Sequence, residues 1–368
     1  MGNRNFYQAL GFVVLSIILS VVASCKEKTV PPPPPPDTTV IEGTWFTHSL
    51  IVHRADGWSW QGWTHAQLEI DNIGNASFLN VETSPGGYAG NTTSQIESIT
   101  DNVILMKGSP SYHGYISADK NLAVATMNDG SGGFNLSLAQ KFNPTVVHTT
   151  SDLAGSWQIH LLTDGTQDNF SAWSGWAHAV LTFDDNGKGV FSSVATSPGT
   201  NASLDSVQVS FTSNGVLIDS SNTTYHGILS ADKQMAVATM TDLAEGFTMA
   251  ICQKFTSGAS YNLTDLAGSW YMHSLVTSNN SFAGRATWIH GKLTIDNSGN
   301  GVFSDIVESA GSNTLNNPGT FNISTNGLVS IPGNATFHGY LGSDKSTLVA
   351  TFTDDHEGYN IAILQKIN

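Results

Sequence analysis

Nine histidines recur at matching places in three similar stretches of the chain. They are His48, His65 and His113; His160, His178 and His226; and His273, His290 and His338. Three imidazole nitrogens with one open position form a ligand set suited to catalytic zinc. The other interpretation is packing, in which each histidine bonds across strands or stacks on a neighbouring ring. We favour packing and predict no metal site and no cofactor.

One to three tryptophans precede the second histidine of each stretch, and the last of them lies two residues before it. The segments "GWSWQGW", "FSAWSGW" and "FAGRATW" contribute Trp58, Trp60, Trp63, Trp173, Trp176 and Trp288. Exposed aromatic rings beside Asn, Ser and Gly donors suit sugar rings or partner surfaces. We predict these six tryptophans as ligand-binding residues. The alternative is that they cap the mouth of the fold.

Residue sets with catalytic spacing do not recur across the three stretches. "DNSGNG" begins like a calcium loop, but "DDNGKG" places Lys188 where a ligand should be, so tight Asp-Gly turns explain these segments better. Cys252 takes the place of Ala139 and Leu364 in matching strands, which is a packing position. Because repeated copies strengthen binding through avidity, we predict a binding protein that is not an enzyme.

Three internal repeats organise the chain. "EGTW" and two copies of "AGSW" place Trp45, Trp157 and Trp270 at intervals of 112 and 113 residues, and each repeat ends on a segment like "FTMAICQKF". The repeats span residues 41–143, 153–255 and 266–368. We expect the three leading tryptophans to be core residues.

Alternating apolar residues and turn signals indicate eight strands in each repeat and an all-β fold. Two architectures are open: three tandem eight-stranded up-and-down barrels, or a six-bladed propeller. Asn214-Gly215 and Asn326-Gly327 lie between the fourth and fifth strands, where a two-residue hairpin would leave no chain for a blade crossing. We therefore predict the barrels.

Side-chain alternation separates two faces of the second strand. Leu68 and Ile70 lie on one face, whereas Trp63 and His65 share the more polar face. The sequence does not decide whether that polar face lines the lumen or the exterior.

Each repeat begins with a Gly-x-Trp segment that resembles the start of the first strand in calycins, the lipocalin and avidin group. The three segments are Gly43-Thr44-Trp45, Gly155-Ser156-Trp157 and Gly268-Ser269-Trp270. That resemblance implies a closed barrel with the tryptophan plugging its base and a small ligand inside.

The N-terminus reads as an export signal. Arg4 precedes the apolar run "LGFVVLSIILSVVAS", which ends directly before Cys25. This order resembles the lipobox of bacterial lipoproteins, which implies cleavage after residue 24 and a lipid on Cys25. The residue after the cysteine is Lys26 and not Asp, and in that family this implies sorting to the outer membrane if the cell has two membranes. Residues 25–40 contain six consecutive prolines and read as an extended stalk.

Charge and composition narrow the partner class. A formal net charge of −15 argues against nucleic acid as a partner. We predict a membrane-anchored, surface-exposed binding or adhesion module for a carbohydrate or a protein. The alternatives are a lipocalin-like carrier of a small apolar ligand and a histidine-lined metal-binding barrel.

Overall fold

A computed structural model describes residues 38–52, 60–84, 87, 90–129, 132–165, 173–197, 206–242, 246–278, 286–309 and 318–367. The predicted leader, Cys25, most of the stalk and Trp58 lie outside this range. Residues Pro36–Asn368 belong to one compact unit. Within the described ranges, no helix has the length and apolar character needed to cross a membrane.

The first sheet consists of β1 (Gly43–Val52), β2 (Gly62–Ile70), β3 (Asn75–Thr83), β4 (Thr92–Thr100), β5 (Val103–Met106), β6 (His113–Ile116), β7 (Leu122–Asn128) and β8 (Phe134–Lys141). A 3-10 turn at Thr150–Asp152 precedes the second sheet. That sheet consists of β9 (Gly155–Asp164), β10 (Gly175–Phe183), β11 (Lys188–Thr196), β12 (Ser206–Phe211), β13 (Val216–Asp219), β14 (Asn222–Leu229), β15 (Met235–Thr241) and β16 (Phe247–Lys254).

A short helix α1 (Leu263–Leu266) leads into the third sheet. Its strands are β17 (Gly268–Thr277), β18 (Thr287–Ile295), β19 (Asn300–Glu308), β20 (Gly319–Thr320), β21 (Asn322–Ile323), β22 (Leu328–Ile331), β23 (Asn334–Leu341), β24 (Thr347–Thr353) and β25 (Tyr359–Lys366). Here the fourth strand is split at Phe321, so β20 and β21 lie at the two ends of the sheet order.

The three sheets are antiparallel meanders in which consecutive strands pair and the last strand returns to the first, except that β20 and β21 do not pair. The first two are closed barrels, and the third is barrel-like with its break at Phe321. The prediction of three tandem eight-stranded barrels is confirmed, and the propeller is not needed. We call them the first, second and third barrels.

The hairpin between the fourth and fifth strands differs in detail from the expectation. A two-residue turn with both residues at positive φ occurs at Asp101 and Asn102 of the first barrel. At Asn214-Gly215 only the glycine has positive φ, because the turn is longer: Gly215 N–H donates to the Thr212 carbonyl over 3.0 Å. The meander continues through either kind of turn.

Each barrel has its own core, and the leading tryptophan belongs to it. Trp45, Trp157 and Trp270 are buried, and their indole N–H groups donate to the carbonyls of Ile41, Leu153 and Leu266 over 2.6–2.8 Å. A lysine of the last strand lies over each ring. The expectation that these tryptophans are core residues is confirmed.

The barrels also pack against one another in a ring. The first two strands of each barrel contact the last two strands of the next: β1 and β2 meet β15 and β16, β9 and β10 meet β24 and β25, and β17 and β18 meet β7 and β8. A head-to-tail interface that closes after three copies produces threefold pseudosymmetry. One apolar cluster runs through all three barrels and includes Leu136, Met249 and Ile361.

The connections differ at the two ends of the barrels. In the first barrel, residues 53–61 join β1 to β2 and residues 84–91 join β3 to β4, whereas residues 71–74 and 101–102 suffice for the next connections. Because alternate connections of an up-and-down barrel leave from opposite ends, the long connections share one end. The opposite end has the tight turns, and β1 begins at this tight-turn end.

Candidate functional site

The three histidines of one repeat do not meet; instead, histidines from two barrels meet at each interface. His48 and His65 lie opposite each other on β1 and β2 and face His226 of the second barrel. By the same geometry His160 and His178 face His338, and His273 and His290 face His113. The polar face of the second strand is therefore the exterior of each barrel, buried by its neighbour.

The first histidine cluster is tightly stacked. His65 lies on His226 with ring centroids 3.5 Å apart and planes 10° apart. Trp63 covers the ring of His65 at 5.4 Å. His48 Nε2 is 2.9 Å from His226 Nδ1, so one of these nitrogens donates to the other.

The other two clusters also bring two histidine rings to within 3.8 Å, with different hydrogen bonds. His113 stacks on His290 at 3.8 Å, and its two ring nitrogens reach His273 Nε2 at 3.3 Å and the Tyr271 hydroxyl at 2.9 Å. In the third cluster the ring centroids of His178 and His338 are 3.8 Å apart and the ring planes are tilted by 32°. His160 Nδ1 is 3.3 Å from Thr351 Oγ1.

Burial keeps these histidines neutral. Burial lowers the pKa of His65 and His290 to about 3. The second cause is the repulsion that two protonated rings would experience, between His65 and His226 and between His290 and His113. Burial likewise lowers the pKa of His113, His178 and His226 to about 4. For His48, His160 and His273, burial holds the pKa well below the usual value.

The clusters have the geometry of packed rings rather than of a metal centre. Stacked imidazoles present faces to each other, whereas a metal needs converging lone pairs. Across the described parts of the chain, no group of three His, Cys, Asp or Glu side chains is placed to hold a metal ion. His65 Nε2 is 3.5 Å from Glu82 Oε2, but at neutral pH the imidazole carries no charge to pair with it.

The structure places three of the predicted tryptophan contacts inside the interfaces. Trp63, Trp176 and Trp288 are buried, so the expectation of exposed platforms is wrong for them. Their indole N–H groups donate across barrels to Thr241 Oγ1, Thr353 Oγ1 and Asn128 Oδ1 over 2.7–2.9 Å.

Trp60 and Trp173 are half-buried next to the long connections. A β-carbon added at Gly87 would come within 2.5 Å of the Trp60 ring, so this indole packs closely against glycine backbone. Trp58 lies outside the described residues. A ligand-binding role for these three residues stays a prediction.

A cleft of about 940 Å³ adjoins the first histidine cluster, between the first and second barrels. Its apolar lining includes Phe46, Phe142, Phe211 and Val147, and its polar lining includes His65, His226, Glu82, Asn80 and Asn214. Among the described residues that line it, one is acidic and none is a lysine or arginine. Phe142 contacts Phe46 edge-on at 5.3 Å, and His148 stacks on Phe211 at 5.6 Å.

A second cavity of about 380 Å³ lies within the third barrel. Met272, Leu293 and Leu364 contribute to its apolar wall, and Asp354, Asp355 and His356 are polar residues of its lining. This barrel is also the one whose fourth strand is split at Phe321.

Cys252 is free and half-buried on the core of the second barrel. Burial raises the pKa of its thiol to about 12, so it is not a nucleophile at neutral pH. Its predicted packing role is confirmed.

The buried interfaces left a signal in the sequence that alternation alone does not reveal. The eighth strands of the second and third barrels contain four consecutive apolar residues, "MAIC" in β16 and "IAIL" in β25, whereas β8 has "LSLA" with one serine. Continuous apolar runs are typical of strands that are buried on both faces.

Comparisons with known proteins identify no family for this chain. No protein-family model matches the chain, and no curated protein does. Among solved structures, transferrin binding protein B of serogroup B Neisseria meningitidis is 8% identical, with 89% of this chain and 77% of that chain covered and a TM-score of 0.26.

Two further structures are similarly distant. A variant of transferrin binding protein B from Haemophilus parasuis Hp5 is 9% identical over 87% of this chain and 74% of that chain, with a TM-score of 0.22. A protein of unknown function from the DUF3598 family of Nostoc punctiforme PCC 73102 is 10% identical over 58% and 96%, with a TM-score of 0.21. Scores and identities this low assign no function to this chain.

Proposed function

We propose that the protein is a lipid-anchored envelope protein that binds an extracellular ligand without catalysis. The observation that carries the binding role is the cleft of about 940 Å³ between the first and second barrels. Ligand sites in proteins are typically clefts of about this size. The lining of this cleft is divided about equally between apolar and polar residues. The histidines beside it are held neutral by burial and stack on one another, which supports a binding role over acid–base chemistry.

The chemistry of the lining favours an uncharged glycan as the ligand. Phe142 and Phe211 offer aromatic faces, and Asn80, Asn214 and Thr212 offer hydrogen-bonding groups. An anionic ligand would meet Glu82 without a lysine or arginine among the described lining residues to balance it.

The test is binding to a glycan array with two matched variants. Val147 is 78% exposed and lines the cleft, whereas Val190 is 50% exposed and is not part of its lining. We expect Val147→Glu to reduce glycan binding at least tenfold and Val190→Glu to leave it unchanged. Equal binding by both variants, or binding only to protein partners, would remove the glycan cleft from the proposal.

Anchoring through Cys25 is supported by the lipobox-like order of Arg4, the apolar run and the cysteine. Because the chain begins β1 at the tight-turn end, a tether upstream would hold the described body by that end. Cys25→Ser should abolish incorporation of labelled palmitate and release the protein from membranes, whereas Cys252→Ser should retain both. Labelling that persists in Cys25→Ser would exclude the anchor.

A second function, carriage of a small apolar ligand, is favoured by the cavity of about 380 Å³ within the third barrel. Mass spectrometry of native protein would detect a co-purified apolar molecule. Ala362→Phe should fill the cavity and expel it, and a ligand retained by that variant would contradict this site.

A further inference from the structure

Three glutamines form a ring around the pseudo-threefold axis. Gln140, Gln253 and Gln365 occupy matching places near the ends of β8, β16 and β25. Their side-chain amides donate to the carbonyls of Met235, Thr347 and Leu122, each in the next barrel, over 3.1–3.4 Å. Because each barrel donates once and accepts once, these bonds close into a cycle.

The amide orientation is fixed by this cycle. Each accepting carbonyl also receives a backbone N–H over 2.8 Å, from Ser230, Gly342 and Ser117. Turning an amide around would place two oxygens against each other, so the nitrogen must face the carbonyl. The oxygen of each glutamine is therefore the atom left for other partners.

All three amide oxygens are buried without a hydrogen-bond partner. The glutamine side chains belong to residues that are 1–3% exposed, and Oε1 of each is unsatisfied. A buried polar atom that is left unpaired destabilises the folded state. Threefold repetition of this cost at matching positions points to a shared partner on the axis.

A small cavity at the tight-turn end provides room for that partner. It measures about 70 Å³, receives residues from all three barrels, and is lined by two of the three ring glutamines, Gln140 and Gln253. Asp119, Asp232 and Asp344, from the turns after the sixth strands, also line it.

The lysines that follow these aspartates are engaged elsewhere. Lys233 Nζ pairs with Asp152 at 2.7 Å and Lys345 Nζ with Asp265 at 3.0 Å, while Lys120 Nζ donates to Asn102. Lys141 lines the cavity, but its ammonium lies over the Trp45 ring. The aspartates thus leave the cavity an electronegative mouth.

A water molecule cannot satisfy this ring alone, because it donates only two hydrogen bonds to three acceptors. A hard cation can be coordinated by all three amide oxygens together and can complete its coordination shell with water. The aspartates need not be direct ligands, which agrees with the lack of a convergent carboxylate group among the described residues.

We propose that the pseudo-threefold axis holds a hard cation of the Ca²⁺ class, bound by the amide oxygens of Gln140, Gln253 and Gln365 and attracted by Asp119, Asp232 and Asp344. The site ties one ligand from each barrel to a single ion. It is independent of the cleft and of the third-barrel cavity.

The test is calcium titration of the whole protein by calorimetry, with thermal unfolding at matched ionic strength. Because extracellular calcium sites bind at ~10⁻⁴–10⁻³ M, we expect about 5 mM CaCl₂ to raise the unfolding midpoint by about 2–4 °C over NaCl. MgCl₂ should act more weakly, since Mg²⁺ dehydrates reluctantly.

Two variants and one control decide the assignment. Gln253→Leu should abolish the calcium response, and Asp119→Asn with Asp232→Asn and Asp344→Asn should weaken affinity at least tenfold. Asp71→Asn with Asp184→Asn and Asp296→Asn removes the same charge from exposed turns and should change nothing. A native protein that does not respond to calcium, a response retained by Gln253→Leu, or equal loss in both aspartate variants would overturn the proposal.

Discussion

His65 of the first barrel lies face to face with His226 of the second, with ring centroids 3.5 Å apart. A stack of His290 on His113 and a tilted contact between the rings of His178 and His338 join the remaining pairs of barrels. Neutral rings can share such a space, but protonated rings would repel each other where water screens them poorly. The ring of three barrels therefore depends on nine histidines staying uncharged.

Stability should fall as pH decreases from 6.5 toward 4. In the folded protein His65 and His290 have a pKa of about 3, and His113, His178 and His226 have a pKa of about 4. The histidine pKa is near 6.5 when the chain is unfolded, so the unfolded state binds more protons between those values. Each histidine can contribute a slope of up to about 1.4 kcal/mol per pH unit, and stability should be level above pH 6.5. Urea unfolding at a series of pH values measures this dependence.

Replacing the three facing histidines tests its source. His113→Phe with His226→Phe and His338→Phe keeps a stacked ring at each interface and removes three titrating groups. We expect a shallower slope between about pH 6.5 and pH 5, a range above the usual titration of carboxylates. An unchanged slope in this variant would show that other groups cause the acid sensitivity.

The shared apolar core should make the three barrels unfold together. Leu136 is fully buried in the cluster that all three barrels build. Leu136→Ala should lower the free energy of unfolding by about 2–5 kcal/mol and shift one common transition. Exposed Val190→Ala is the control and should change little. Separate transitions, with only one of them shifted, would mean that the barrels are independent.

The indole of Trp176 should be coupled energetically to Thr353 across the interface between the second and third barrels. The 2.9 Å hydrogen bond joins two barrels, and Thr353→Val would leave the indole N–H unpaired at a cost of about 1–3 kcal/mol. A double-mutant cycle with Trp176→Phe isolates the pair. Additive effects of the two changes would contradict a direct bond.

Trp60 and Trp173 remain candidates for ligand contact at the end with long connections. If they contact a glycan, Trp60→Ala with Trp173→Ala should weaken binding at least tenfold while the far-ultraviolet circular dichroism stays native. Trp58→Ala provides a comparison within the same segment. Binding that survives the double change would leave these rings as caps on the barrel mouths.

The sequence was sufficient to predict the barrels because strand alternation and turns act within one repeat. Alternation assigns Leu68 and Trp63 to opposite faces of β2, and the structure agrees. The sequence could not decide what covers the outer face, since His65 meets a residue of another repeat. Contacts between repeats have no local spacing to reveal them.

The burial of Trp63, Trp176 and Trp288 was mispredicted for the same physical reason. An indole beside glycine and serine resembles a binding surface until a neighbouring barrel supplies Thr241, Thr353 or Asn128 as its partner. The unbroken apolar run "MAIC" in β16 was the available indication that the outside of the barrel is buried.

The most direct test of the three-barrel ring is a pH titration of the histidine ring nitrogens by nuclear magnetic resonance. If neighbouring barrels bury the interface histidines, His65, His113, His178, His226 and His290 should remain neutral at about pH 5, well below the ordinary histidine pKa of about 6.5. Nine imidazoles that titrate together near that ordinary value would mean that water reaches them and that the barrels do not pack against one another.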